Sequence, residues 1–166
     1  MKNKLRLRIS IWRNVGLNKI LLNFVFQRIF RVNSQISYLV NYQSTYIGND
    51  IQYHFDFKTM TSFSLSPHCY FQSINGIRLG ENFLFAPGVK LISANHSQDI
   101  TRKSEKSPPI IIGDNVWLGA DVIILPGVKL GNNIVVGAGS VVTKSFPEDD
   151  IVIAGNPAKI IRAHHV

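Results

Sequence analysis

A histidine closes the six-residue stretch LISANH, residues 91–96, and a long polar segment, SQDITRKSEKSPPII (97–111), follows it. Neutral imidazole, with an ordinary pKa of about 6.5, can take a proton from a weak acid near neutral pH and return it later. A loop of that length is commonly functional, and Pro108–Pro109 stiffens its return to the scaffold. His96 therefore stands where a rigid body meets a projecting arm, a common way to position chemistry. An isolated histidine is more often structural, and His54, His68, His164 and His165, which lack this setting, are read that way. The second ring nitrogen of His96 needs an orienting acceptor. Asp99 is near in sequence, and a backbone carbonyl serves equally well.

The body that would hold this residue repeats every six positions. From Ile112 the chain divides into IGDNVW, LGADVI, ILPGVK, LGNNIV, VGAGSV and VTKSFP. Each hexad opens on an aliphatic residue, and Gly113, Gly119, Gly131 and Gly137 hold second positions. Upstream, LGENFL, FAPGVK and LISANH keep the same phase from Leu79, and IGNDIQ fits at Ile47. Residues 53–76 keep it poorly. Strands alternate every two residues and helices every three to four, so neither alone returns an apolar residue every six. A short strand plus a corner does. First and fifth positions then point into one interior, while Gly and Asn accept the positive φ that corners demand. Coils stacked at the sheet spacing of about 4.8 Å give a parallel β-solenoid.

Charge separates the N-terminus from this body. Residues 1–31 carry Lys2, Lys4, Arg6, Arg8, Arg13, Lys19, Arg28 and Arg31 and no acid, which accounts for the whole net charge of +8. Lys19, Asn23, Gln27 and Arg31 recur every four residues as a polar stripe on an otherwise apolar helix. Such a helix packs on its own domain or a neighbouring subunit, or rests on anionic lipid. No apolar run is long enough to span a bilayer, and no signal-cleavage site is seen. The body has no basic stripe for nucleic acid. The single cysteine, Cys69, excludes an internal disulfide framework and fits a reducing compartment. We expect a cytoplasmic protein, with peripheral contact at the inner face of the membrane as the alternative placement of residues 1–31. Residues 1–45 form the helical segment, 46–154 the solenoid with its 97–111 insertion, and 155–166 a turn and tail.

The hexads resemble the hexapeptide-repeat family, whose members form left-handed parallel β-helices with three hexads per triangular coil. LFAPGVKLISANHSQD is similar to the stretch that carries the catalytic histidine of its acetyltransferases. IIIGDNVWLGADVIILPGVKLGNNIVVGAGSVVTKSFPEDDIVIAGNPAKIIR (110–162) resembles the C-terminal half of sugar and antibiotic O-acetyltransferases. YFQSINGIRLGENFLFAPGVKLISANH is closest in style to the subset acting on surface polysaccharides. The fold implied is all-β: a left-handed parallel β-helix with an N-terminal helical segment and a short C-terminal tail.

This resemblance implies an acetyl-CoA-dependent O-acetyltransferase, a homotrimer with sites between neighbouring coils, and no metal. His96 would be the general base. Where related sugar acetyltransferases have an asparagine thirty residues earlier, this chain has Ser66, a shorter donor. Positions matching the family's CoA contacts are Ala120, Ala138, Thr143, Lys144 and Lys159, with Arg162 sharing the anionic end and Trp117 lining the acceptor or thioester pocket. GNPAK (155–159) would turn the chain off the last coil, and the tail would return near the nucleotide. The acceptor expected is a sugar of a surface polysaccharide or its precursor, and N-acetylation of an amino sugar is the rival. A zinc carbonic anhydrase on such a solenoid needs three convergent histidines, and His96 has no partner at a useful spacing. A non-enzymatic interaction solenoid would leave the arm, the histidine and the CoA-like positions unexplained.

Overall fold

The computed structural model describes residues 2–97 and 100–164. Its strands build three faces. The first stacks β1 (Thr45–Ile47), β3 (Tyr70–Gln72), β6 (Lys90–Ile92), β9 (Ile123–Ile124) and β12 (Val141–Val142). The second stacks β2 (Ile51–Gln52), β4 (Ile77–Leu79), β7 (Ile110–Ile112) and β10 (Lys129–Leu130). The third stacks β5 (Leu84–Phe85), β8 (Trp117–Leu118), β11 (Val135–Val136), β13 (Ile151–Gly155) and β14 (Ala158–Ala163). From β3 to β12 each strand pairs in parallel with the one three places on, so the chain winds over three faces per coil.

Register fixes the arm as an insertion. Ile112, Leu118 and Ile124 pair with Leu130, Val136 and Val142, each 18 positions on. Leu79, Phe85 and Leu91 pair with Ile112, Leu118 and Ile124, each 33 positions on. The excess of 15 is the length of segment 97–111. First-position residues from Leu79 to Val142 are buried, as are Phe83, Val89, Val116, Val122, Val128, Ile134 and Phe146 at fifth positions. One buried fifth position is polar: the Ser140 hydroxyl donates to the Gly137 carbonyl and accepts from the Gly155 amide.

The second-position glycines do something other than turn corners. Gly113 does not have a positive φ. A Cβ there would lie 2.4 Å from the Gly131 carbonyl oxygen, so its bare Cα lets successive coils stack. Left-handed corners fall instead at Gly76 and Gly127 between the first and second faces, at Gly88, Asp121 and Gly139 between the third and first, and at Asn82, Asn115, Asn133 and Asp150 between the second and third. The side chains of these last four form rungs, Asn82 to Asn115 at 3.2 Å and Asn133 to Asp150 at 2.8 Å.

Residues 53–76, which keep the six-residue rhythm poorly, contain a helix, α3 (Phe57–Leu65), N-capped by Asp56. It substitutes for a missing rung beside β5. The Phe83 amide donates to Thr59 Oγ1 at 3.0 Å and the Phe85 amide to Ser62 Oγ at 3.3 Å. Hydroxyls thus satisfy amides that would otherwise end the sheet unpaired. At the other end the chain leaves the last coil at Gly155 (φ 107°), and Ala158–Ala163 returns antiparallel to Ile151–Gly155. The tail is thus a paired strand.

The N-terminal segment is two helices, α1 (Lys2–Val15) and α2 (Leu17–Phe24), broken at Gly16, with a wider π turn over Val25–Ile29. Ile11 and Val15 of α1 are buried, and α1 packs on α3. On α2 and its π extension the middle of the polar stripe faces inward: Asn23 and Gln27 are each only 1% exposed, while Lys19 and Arg31 at its ends are exposed. Asn23 Nδ2 donates to the Ser64 carbonyl, and Gln27 Nε2 to the carbonyls of Ile36 and Tyr38. Among the described residues no helix is long and apolar enough to cross a membrane.

Candidate active site

His96 occupies the sixth position of its hexad, the position that Trp117 shows to be outward-facing at 49% exposure. There the chain departs from the solenoid on the edge between the first and second faces. The arm starts as a short pairing of its two limbs. His96 bridges Ser104 in antiparallel fashion, the Ser97 amide donates to the Lys103 carbonyl, and the Glu105 amide donates to the Asn95 carbonyl, both at 2.8 Å.

This pairing orients the imidazole. Nδ1 lies 2.5 Å from the Arg102 carbonyl oxygen. A carbonyl can only accept, so Nδ1 carries the hydrogen and Nε2 keeps its lone pair. That is the tautomer a general base requires, on a side chain exposed to solvent. The orienting acceptor is a backbone carbonyl; Asp99, the other sequence candidate, lies outside the described residues.

The stalk of the arm rests on groups the sequence reading did not single out. Asn75, between β3 and β4, donates from Nδ2 to the carbonyls of Ser93 and Glu105 and contacts Ser107 Oγ at 3.0 Å. Its backbone N–H also donates to the Ser93 hydroxyl at 2.9 Å. The Ser107 hydroxyl donates to the Ser93 carbonyl at 2.7 Å, and Gln72 Oε1 accepts from the Ala94 amide. One side chain thus joins the outgoing and returning limbs to the coil beneath. Asn75→Ala should cost about 1–3 kcal/mol of stability through carbonyls left unpaired. If the arm positions catalysis, it should also lower kcat more than it raises KM. Thermal melts and steady-state kinetics on one preparation would check both.

Ser66 sits apart from this arrangement. It is buried, and its hydroxyl donates to the Phe85 carbonyl at 2.8 Å, holding α3 to β5. Cys69 is buried too, and that burial pushes its thiol above the ordinary value, against a nucleophilic role.

The positions matched to CoA divide between two edges. Thr143 and Lys144 follow β12, so they share the edge of His96, two coils farther along; the Lys144 ammonium lies 5.5 Å from the centre of the Phe146 ring. Trp117 lies in β8, and Ala120 and Ala138 occupy the corners after β8 and β11, where the Gly139 amide donates to the Ala120 carbonyl. Lys159 and Arg162 are exposed on β14, opposite Ala154 and Val152. One chain therefore brings together Trp117, Ala120, Ala138 and Lys159 along its third face and the adjoining corner, and His96 with Lys144 along another edge. It does not unite the two groups. Three cavities are lined by α1 residues with Tyr38 and Tyr53, by Gln52 with Arg78, and by Trp12 with Leu17; none of these three includes His96.

Comparison with known proteins agrees with this architecture. The family model for the hexapeptide repeat of succinyl-transferase matches residues 109–144. Galactoside O-acetyltransferase of Escherichia coli K12 is 45% identical over 89 residues, covering 52% of this chain and 43% of that protein. A galactoside acetyltransferase structure in complex with coenzyme A superposes with a TM-score of 0.53 at 37% identity, covering 58% of this chain and 50% of the other. A maltose O-acetyltransferase from Clostridium difficile 630 covers 98% of this chain and 88% of its own, with a TM-score of 0.59 at 27% identity. The chain spans about half the length of the curated relatives it matches. Through the register of its coils and these matches together, the chain is similar to the hexapeptide-repeat acyltransferases.

Proposed function

We propose that the protein transfers an acetyl group from acetyl-CoA to a sugar hydroxyl, with His96 as general base. The observation that carries this reading is the bond from His96 Nδ1 to the Arg102 carbonyl, which leaves Nε2 free on an exposed edge. Nε2 takes the acceptor's hydroxyl proton as the oxygen attacks the thioester carbonyl carbon. The C–O bond forms, the tetrahedral intermediate collapses, and the C–S bond breaks. The imidazolium then returns its proton to the departing sulfur, so protons balance over the cycle. Ser66, whose hydroxyl is committed to Phe85, is assigned a structural part.

The coil is given a left hand from the family resemblance. The homotrimer follows the same source and fits the division of the site: His96 on one edge would face Trp117, Ala120, Ala138 and Lys159 on a neighbouring chain. Thr143 and Lys144 would complete the cofactor groove. Small alanines would let pantetheine run along backbone amides, and Lys159 with Arg162 would meet its phosphates through charge-assisted hydrogen bonds. The proposed acceptor is a sugar of a surface polysaccharide or its precursor, met in the cytoplasm.

The test is incubation with acetyl-CoA and galactoside, glucoside and amino-sugar acceptors, followed by mass spectrometry and mild base. A mass gain equal to one acetyl group that base removes supports the ester. A base-stable product would instead support N-acetylation, and no product with any acceptor would count against transfer. Lys159→Ala should raise the KM for acetyl-CoA about tenfold, one charge-assisted contact's worth, while leaving the KM for sugar unchanged. Initial-rate kinetics with each substrate varied would check it.

A further inference from the structure

In the N-terminal segment Asn23 and Gln27 turn inward while several large apolar side chains stay in water. Asn23 and Gln27 are buried against segment 36–42 and α3, where their amides terminate backbone groups that have no strand partner. Docked by these two side chains, α2, the π turn and its C-cap Phe30 present Leu17 at 74%, Leu21 at 62%, Ile29 at 65% and Phe30 at 65% exposure. An amphipathic helix on a soluble body ordinarily does the reverse. At the elbow between α1 and α2, Ile9, Trp12, Gly16 and Leu17 line an open groove of about 430 Å³ with Arg13 at its wall.

Charge selects the occupant. Eight lysines and arginines precede the first carboxylate of the chain, Asp50. A second copy meeting this face across a two-fold axis would set cations against cations. We infer that the face formed by α1, α2 and the π turn seats on the surface of an anionic phospholipid bilayer. Leu17, Leu21, Ile29 and Phe30 enter the acyl boundary, Trp12 lies at headgroup depth, and Arg13 and Lys19 meet phosphates. The face is built into the folded protein, so the membrane meets a rigid surface with no helix left to form.

The experiment uses the full chain and needs neither acetyl-CoA nor sugar, so its outcome is independent of the proposed reaction. Flotation is compared with vesicles of phosphatidylcholine alone and of equal parts phosphatidylcholine and phosphatidylglycerol. Binding should rise at least about tenfold on the anionic vesicles and weaken as salt increases. The double variant Leu21→Glu/Phe30→Glu should lose about tenfold in binding while keeping its melting temperature, because both side chains are exposed. Deleting residues 1–31 is a poorer test, since it uncovers the backbone groups held by Asn23 and Gln27. Equal binding to both vesicle types, or none to either, overturns the inference. So does a double variant that binds as well as the parent, or one whose light-scattering mass falls, which would assign the face to subunit contact.

Discussion

Replacement of His96 by alanine should lower kcat by about 100- to 10,000-fold, the usual contribution of a positioned general base. The melting temperature should hardly change, because the side chain is exposed and fills no core space. Alanine also removes the donor to the Arg102 carbonyl, so by itself it does not separate proton transfer from bracing of the arm. His96→Asn makes that separation. The asparagine amide can reach the same carbonyl, yet it offers no basic nitrogen. Asparagine should therefore be as inactive as alanine. Turnover within tenfold of the parent in the asparagine variant would make His96 a brace and remove the base from the mechanism.

The largest loss of stability should come from Phe63→Ala, at about 3–5 kcal/mol. Phe63 is completely buried on α3, with ring centroids of Tyr38, Tyr53, Phe71 and Phe85 between 4.5 and 6.0 Å away. It ties the irregular N-terminal segment, the helix and the first full coil into one core. A chain of this size should lose about 10 °C in melting temperature. Because the later coils take their neighbours from each other, the transition should also broaden as the first part loosens ahead of the rest. Calorimetry would show both effects, and a shift under about 3 °C would mean the cluster repacks around the void.

The parts of this molecule that were legible in its residues are those where one spacing maps onto one geometry. Ile112, Leu118 and Ile124 point inward because six residues make one strand and corner, and the 15-residue excess over an 18-residue coil locates the arm. The placement of His96 at the foot of the arm was legible for the same reason, since it stands where the repeat stops. Gly113 was misjudged because glycine answers two needs, positive φ and close approach, and the alphabet does not say which. The helix Phe57–Leu65 escaped because its contribution to the solenoid comes from the hydroxyls of Thr59 and Ser62 bonding amides over 20 residues away. Asn75 likewise acts only through partners 18 to 32 residues distant. The polar stripe at Asn23 and Gln27 was visible, but not its direction. That depended on the carbonyls of Ile36, Tyr38 and Ser64, which accept from these two side chains and which no periodicity announces.

Parallel rungs have no inherent stopping point, since each finished layer offers the next one an open ladder. On the third face the reversal at Gly155 supplies the stop: Ala158–Ala163 runs the wrong way to template another parallel layer, and it carries Lys159 and Arg162 on its exposed surface. Charged, reversed borders are how sheets resist joining end to end into fibres. The same strand that would greet a cofactor's phosphates thus also keeps one molecule from becoming the seed of a filament.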